Sequence, residues 1–244
     1  MLRFNRKWLL LLLLIPVIAA AGFVVWASST PAPMPEALAS LQSDANVNVQ
    51  TDWMLEFAPT ANEADVGLIF YPGAKVDARS YAPMAHALAQ QGYLVVFPPM
   101  TLNLAVLSIN AADAVIAAHP EIAHWALGGH SLGGSMAARY VQAHSEIEGL
   151  LLLASYPDID LSGYPLDAAV VYGSLDGLAT VEKVESTRNL LPASAQWTLI
   201  DGGNHAQFGW YGDQAGDKPA TISREAQQAQ TIAAAAALLG QLGQ

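Results

Sequence analysis

The segment Gly129–Gly133, with the sequence GHSLG, places a serine between two glycines where two patterned segments meet. The apolar stretch before it, Trp125–Gly128, predicts a buried strand, and the alanine-rich stretch after it, residues 132–143, predicts a helix. A nucleophilic serine on a sharp strand-to-helix turn needs small neighbours, because its backbone is strained and closely packed. The pattern therefore predicts a nucleophile at Ser131, and the alternative is a helix-capping serine in an ordinary glycine-rich turn.

A serine hydroxyl becomes a good nucleophile when a base takes its proton and a third group orients that base. Asp176 directly follows a buried-strand pattern, where a loop carboxylate would project from the sheet, and Asp158 and Asp160 are the competing acids. His205 is the one histidine beyond the last strand pattern, and it stands in a glycine-rich loop. The order Ser131, Asp176, His205 predicts a nucleophile, an acid and a base that act together.

An acyl-transfer site also needs two backbone N–H groups that face the negative charge developing on the attacked oxygen. Leu132, the residue after the serine, is predicted to supply one of them. The loop after the strand pattern Val66–Tyr71 is predicted to supply the other, from Ala74, since Pro72 has no N–H to donate.

Together these segments resemble the α/β-hydrolase superfamily, and in particular its compact, dienelactone-hydrolase-like branch of single-domain hydrolases. The resemblance covers about residues 47–244, and its carriers are FYPGAKVDARSYAPMAHALAQQGYLVVFPP, GGHSLGGSMAARY, YGSLDGLAT and GGNHAQFGWYGDQAGD. Dienelactone hydrolases proper use a cysteine nucleophile, so their substrate does not carry over to this chain. The resemblance implies a nucleophile, an acid, a base and two oxyanion donors at Ser131, Asp176, His205, Leu132 and Ala74.

Strand and helix patterns alternate along the chain from Val47 onward. Such alternation predicts the α/β-hydrolase fold: a mostly parallel central sheet with helices on both faces and functional groups at the carboxyl ends of the strands. Only residues 156–167 separate two of the strand patterns, which is too short for a lid domain. The site is therefore expected to be open and walled by loops.

Three apolar loop residues are predicted to form the substrate-binding walls, and the alternative is simple packing beneath the loops. They are Met100, Phe208 and Trp210. In the long loop of residues 201–222, Gln207, Gln214 and Asp217 are instead predicted either to contact substrate or to hold the loop in place by hydrogen bonds.

The composition excludes several classes of function. The chain has no cysteine, so disulfides, thiol catalysis and cysteine-bound zinc are excluded. No two histidines have the spacing of a metal-binding pair, so neither a metal nor a cofactor is expected. The formal net charge of −11 disfavours nucleic acid as a partner, because an acidic surface repels phosphate groups.

The amino-terminal segment is the most apolar part of the chain. Residues Trp8–Trp26 carry no charge, and as a helix they would span about 30 Å, close to the hydrocarbon core of a bilayer. Arg3, Arg6 and Lys7 precede this run, which predicts that the following domain lies on the extracytoplasmic side. The alternative is a signal peptide cleaved near Val25–Ala27, which would leave a secreted protein.

The predicted organisation is a membrane anchor over residues 1–27, a proline-rich tether over residues 28–45 and an α/β-hydrolase domain over residues 46–244. The predicted activity is that of a serine hydrolase, which cleaves an ester, thioester or related acyl bond of a small molecule through an acyl-enzyme. The same residues could serve a peptidase or an acyltransferase. A non-catalytic binding module with this fold is the alternative of a different class.

Overall fold

The computed structural model describes the backbone of residues 6–244 and the side chains of residues 14–244. Eight strands form one sheet: β1 (Val47–Gln50), β2 (Leu55–Pro59), β3 (Val66–Tyr71), β4 (Leu94–Phe97), β5 (His124–His130), β6 (Ile147–Leu153), β7 (Asp167–Gly173) and β8 (Gln196–Ile200). The helices are α1 (Arg6–Ser28), α2 (Pro35–Ala39), α3 (Ala82–Ala89), α4 (Ala112–Ala118), α5 (Leu132–Val141), α6 (Val181–Glu185) and α7 (Arg224–Leu239). Short 3₁₀ turns precede α3 and α4 and follow α6.

The strand order in the sheet is β1-β2-β4-β3-β5-β6-β7-β8. β1 and β2 form an antiparallel hairpin, and β2 also pairs antiparallel with β4. β3 to β8 pair parallel with one another. Their carboxyl ends therefore lie along one edge of the sheet, and the loops after β3, β5, β6, β7 and β8 meet there.

The core lies on both faces of the central strands. β3, β5, β6 and β7 are buried almost throughout, as their continuous apolar sequences predict. α3 and α7 contact each other and the sheet, and α5 packs on β5 and β6 together with the turns before α4. The α/β-hydrolase fold is therefore confirmed. The connection between β6 and β7, residues 154–166, contains no helix.

The prediction of an amino-terminal transmembrane helix is wrong. Within the part of the chain that the structure describes, no helix is both long and apolar enough to cross a membrane. The side chains of α1 are described from residue 14 onward. Arg3 lies outside the described residues, as do the side chains of Arg6, Lys7 and Trp8.

The segment between α1 and β1 is packed on the domain. Ala27, near the end of α1, is buried, and the Lys75 ammonium lies 4.4 Å from the ring centroid of Trp26. Ala37 of α2 is also buried, and the backbone N–H of Met34 donates to the carbonyl of Trp210 at 2.8 Å. This contact joins the start of the domain to the long loop after β8.

Candidate active site

Ser131 stands alone between the end of β5 and the start of α5. Its backbone has φ 53° and ψ −123°, a conformation that side-chain-bearing residues rarely adopt. Two contacts hold it there: its N–H donates to the carbonyl of Leu153 at 2.9 Å, and its carbonyl accepts from the Ser155 hydroxyl at 2.7 Å. Strained backbone of this kind is concentrated at functional sites, because the surrounding structure must hold it in place.

Close packing explains the glycines on either side of the serine. A Cβ atom at Gly133 would lie 2.1 Å from the Tyr71 carbonyl oxygen, and one at Gly129 would lie 2.4 Å from the carbonyl carbon of Gly133. Since these neighbours are backbone atoms, they cannot move aside as a flexible side chain would. The turn therefore brings α5 directly against the end of β3, and Ser131 is placed at the carboxyl edge of the sheet.

Asp176 and His205 form a buried hydrogen-bonded pair. Asp176 follows β7, His205 follows β8, and each is only 1% exposed. His205 Nδ1 lies 2.9 Å from Asp176 Oδ2, while Asp176 Oδ1 accepts from the N–H groups of Leu178 and Ala179. A carboxylate acceptor places the imidazole proton on Nδ1, so Nε2 keeps the lone pair that a general base needs.

His205 and Ser131 open onto one cavity of about 240 Å³. Among the residues that the structure describes, His205 Nε2 has no hydrogen-bond partner, although it is buried. The structure therefore brings together all three residues of the predicted nucleophile–acid–base set. The cavity is lined by Ser131, Leu132, Ser135, Ala154, Ser155, Tyr156, Leu178, Ala179 and His205.

The two predicted oxyanion donors lie on segments that touch. Leu132 lines the cavity, and the loop that carries Ala74 is in contact with the start of α5, since a Cβ at Gly133 would lie 2.4 Å from the Pro72 carbonyl oxygen. Within the described residues, the backbone N–H groups of Leu132 and Ala74 donate no hydrogen bond, whereas that of Gly73 donates to the Tyr81 hydroxyl at 3.0 Å. Ala74 is not among the residues that line the cavity beside Ser131, so its role as the second donor stays a prediction.

The predicted substrate walls lie elsewhere. Met100 lines a separate cavity of about 310 Å³ together with Trp53 and Pro72. Phe208 is fully buried beside the His130 ring, with the ring centroids 5.9 Å apart, and the ring of the buried Trp210 lies 5.7 Å from the Arg224 guanidinium. The cavity beside Ser131 is lined by none of these three residues, and Tyr156 and Leu178 supply its large side chains instead.

Hydrogen bonds hold the long loop after β8, which is one of the two roles predicted for its polar side chains. Gln207 Nε2 donates to the Ile222 carbonyl, and Gln214 Oε1 accepts from the Tyr211 hydroxyl. Asp217 accepts from two backbone N–H groups that belong to different loops. These contacts give the loop after β8, which carries His205, a defined conformation.

His130 and Tyr81 are parts of the site that the sequence did not reveal. The His130 imidazole is fully buried between the Tyr81 hydroxyl and the His205 ring, whose centroid is 4.5 Å away. Burial, together with the neighbouring His205, holds the pKa of His130 well below its ordinary value. His130 is therefore a neutral neighbour of His205. The sequence signal for this pair is the histidine directly before Ser131. Its partner Tyr81 is 49 residues away in sequence, so no local pattern links the two.

No group of three or more histidine, aspartate and glutamate side chains within the described part of the chain is arranged to hold a metal ion. The arrangement of Ser131, Asp176 and His205 can supply a nucleophile, its base and the group that orients the base without one.

The sheet order, the strained serine after β5 and the acid–base pair after β7 and β8 together define an α/β-hydrolase. A family model described as "Alpha/beta hydrolase family" matches residues 67–229, and the chain belongs to this family. None of the curated protein sequences matches this chain.

Solved structures with similar folds include a candidate dienelactone hydrolase from Klebsiella pneumoniae, with a TM-score of 0.59 at 14% identity over 77% of this chain and 92% of that one. A predicted CIB-like hydrolase from Thermoplasma acidophilum has a TM-score of 0.58 at 11% identity, over 79% of this chain and 100% of that one. A candidate α/β-hydrolase of unknown function from Agrobacterium tumefaciens has a TM-score of 0.51 at 17% identity, over 62% of this chain and 82% of that one. The likeness to the dienelactone-hydrolase-like branch is therefore confirmed as a likeness of fold.

Proposed function

We propose that this α/β-hydrolase is a serine hydrolase that cleaves an ester, thioester or related acyl bond of a small molecule. One observation carries the proposal: His205 is fixed by Asp176 at 2.9 Å, its Nε2 has no partner among the described residues, and His205 lines the same cavity as Ser131. A base with this tautomer beside a strained serine is the arrangement that nucleophilic acyl transfer requires.

In the proposed reaction the Ser131 oxygen attacks the acyl carbon, and His205 Nε2 takes the hydroxyl proton. The negative charge on the acyl oxygen is stabilised by the N–H groups of Leu132 and Ala74. The tetrahedral intermediate then collapses, His205 returns the proton to the leaving group, and the acyl group remains bound to Ser131. Water, deprotonated by His205, releases the acid and restores the serine. Asp176 holds the imidazole in the productive tautomer throughout.

The cavity indicates what the acyl part can be. Apolar side chains of Leu132, Ala154, Leu178 and Ala179 contribute to its lining, and its volume of about 240 Å³ corresponds to about eight water molecules at liquid density. No Lys, Arg, Asp or Glu is among the lining residues of this cavity. A short, uncharged acyl group fits this chemistry better than a long or an anionic one.

A fluorophosphonate probe tests the nucleophile directly, because it reacts with an activated serine and stays attached. The wild type is expected to take up one label per chain, and Ser131→Ala none. Ser135→Ala is the matched control, since Ser135 lines the same cavity, and it is expected to be labelled at Ser131. Failure of the wild type to react, or equal labelling of Ser131→Ala, would refute the proposal.

An ester panel then tests the reaction. Aryl esters and thioesters of acetate, butyrate, hexanoate and dodecanoate, together with peptide anilides, separate a hydrolase of acyl esters from a peptidase. Turnover of the short esters that is lost in Ser131→Ala is expected. Turnover of the anilides alone would replace this proposal with that of a peptidase.

A further inference from the structure

The Asp217 carboxylate bridges the loop after β7 that carries Asp176 (the acid loop) and the part of the loop after β8 that carries His205 (the base loop). Its Oδ2 accepts from the backbone N–H of Ala206 at 2.9 Å, and its Oδ1 accepts from the backbone N–H of Gly177 at 3.0 Å. Ala206 is the residue directly after His205, and Gly177 is the residue directly after Asp176. One side chain therefore holds the residues next to both members of the buried pair.

The backbone around Asp217 is packed directly on the acid loop. A Cβ atom at Gly177 would lie 2.4 Å from the Gly216 carbonyl oxygen and 3.0 Å from Asp217 Cα. A side chain at position 177 would therefore push the two segments apart. The absence of a side chain at Gly177 allows the carboxylate to reach its N–H.

A second set of hydrogen bonds holds Asp217 itself. Its N–H donates to the Gln214 carbonyl at 3.1 Å, and its Oδ1 also accepts from the N–H of Lys218 at 2.9 Å. The Lys218 carbonyl accepts from Asn204 Nδ2 at 2.7 Å, which ties this segment back to the residue before His205. The Asp217–Lys218 segment is thus attached to the residues on both sides of His205 and to the residue after Asp176.

We infer that Asp217 is a positioning residue, which sets the distance and angle between Asp176 and His205 without touching the substrate. The inference rests on the proposed hydrolase function. Its physical basis is that a displacement of about 1 Å in a catalytic group can lower a rate about 100-fold. Two charge-assisted hydrogen bonds to adjacent loops fix that placement more strongly than neutral ones would.

Asp217→Asn tests the inference, because an amide has one acceptor oxygen and an NH₂ group that cannot accept the second N–H. The variant is expected to lower kcat by about 10- to 100-fold on the best short ester and to change KM by less than about threefold. Asp213→Asn is the matched control, since Asp213 is exposed in the same loop and the charge change is identical. It is expected to keep kcat within about twofold of the wild type.

Coupling to Asp176 separates positioning from a general loss of structure. In an Asp176→Asn background, Asp217→Asn is expected to lower the remaining kcat by less than about twofold, because the pair that Asp217 aligns is already broken. Equal fold losses in both backgrounds would overturn the inference, since they would show that Asp217 acts independently of the pair. Equal kcat values for Asp217→Asn and Asp213→Asn would overturn it as well.

Two further measurements apply if Asp217→Asn does not fold. Asp217→Glu keeps two acceptor oxygens and is expected to recover at least a tenth of wild-type kcat with an unchanged KM. In the wild type, hydrogen exchange of the Gly177 and Ala206 amides is expected to be slowed, and free exchange of both would overturn the inference. A wild type that neither labels nor turns over esters would instead refute the proposed function, while slowed exchange would still support the bridge.

Discussion

Tyr81 and His130 share a buried hydrogen bond of 2.8 Å between the phenol oxygen and the imidazole Nδ1. The same phenol oxygen accepts the N–H of Gly73 at 3.0 Å. Burial holds the pKa of His130 well below its ordinary value, so this hydrogen bond joins a neutral imidazole to the phenol. The pair thereby links the serine turn to the loop of the predicted oxyanion donor.

Tyr81→Phe removes this link and keeps the ring. It leaves the Gly73 N–H and His130 Nδ1 without partners, so we expect the free energy of unfolding to fall by about 1–3 kcal/mol. Unfolding in urea measures this change in the free energy of unfolding. The control is Tyr172→Phe, whose hydroxyl pairs with Glu185 near the surface, where water can replace the lost bond. A loss in Tyr81→Phe no larger than in Tyr172→Phe would contradict the buried link.

The buried neutral His130 also predicts how stability depends on pH. Burial lowers the pKa of His130 in the folded protein, so below about pH 6.5 the unfolded chain binds a proton that the folded protein does not. The contribution of neutral His130 to the free energy of unfolding is therefore complete above about pH 6.5. It is lost as the pH falls toward the lowered pKa, at up to about 1.4 kcal/mol per pH unit. The titratable groups that face the imidazole are Tyr81, His205 and Tyr211.

The measurement is urea unfolding of the wild type and of His130→Asn between pH 7.5 and 5. Asparagine does not titrate, so the variant is expected to lose less stability on acidification than the wild type, whatever its stability at pH 7.5. The difference between the two curves isolates His130 from the other histidines. Parallel curves would show that His130 is not a neutral buried group.

The sequence predicts those parts of the site that local patterns determine. It does not predict those parts that depend on contacts between distant segments. Ser223 caps the start of α7, and the alanine-rich sequence that follows favours a helix, so local sequence accounts for this element. Ser131, Asp176 and His205 each follow a strand of the parallel part of the sheet, so the parallel strands bring them to the same edge. The carboxylate bridge of Asp217 and the burial of Phe208 depend on how an irregular loop folds back, which no period in the sequence reports.

The glycine that follows Leu132 is predicted to tolerate no side chain. In Gly133→Ala the new methyl group would lie 2.1 and 2.4 Å from the carbonyl oxygens of Tyr71 and Pro72, so β3 and α5 must separate. We expect a loss of about 3 kcal/mol or more in unfolding free energy, together with loss of fluorophosphonate labelling. Gly163→Ala is the control, since a methyl group there would meet no atom within 4 Å. Equal melting temperatures of the two variants would contradict the packing of the turn.

The strain at Ser131 predicts that function and stability oppose each other at this residue. At φ 53° a residue with a Cβ atom is strained by about 1–3 kcal/mol, and glycine relieves this strain at an entropic cost of about 0.5–1 kcal/mol. Ser131→Gly is therefore expected to be about 1 kcal/mol more stable than Ser131→Ala, and both are expected to remain unlabelled by the probe. The same two substitutions at Ser186 provide the control, because its φ of −65° is ordinary and glycine should be the less stable choice there. If Ser131→Gly were also less stable than Ser131→Ala, the serine backbone would not be strained. The hydrogen bonds that Ser131 donates to Leu153 and accepts from Ser155 would then not be holding it in an unfavourable conformation.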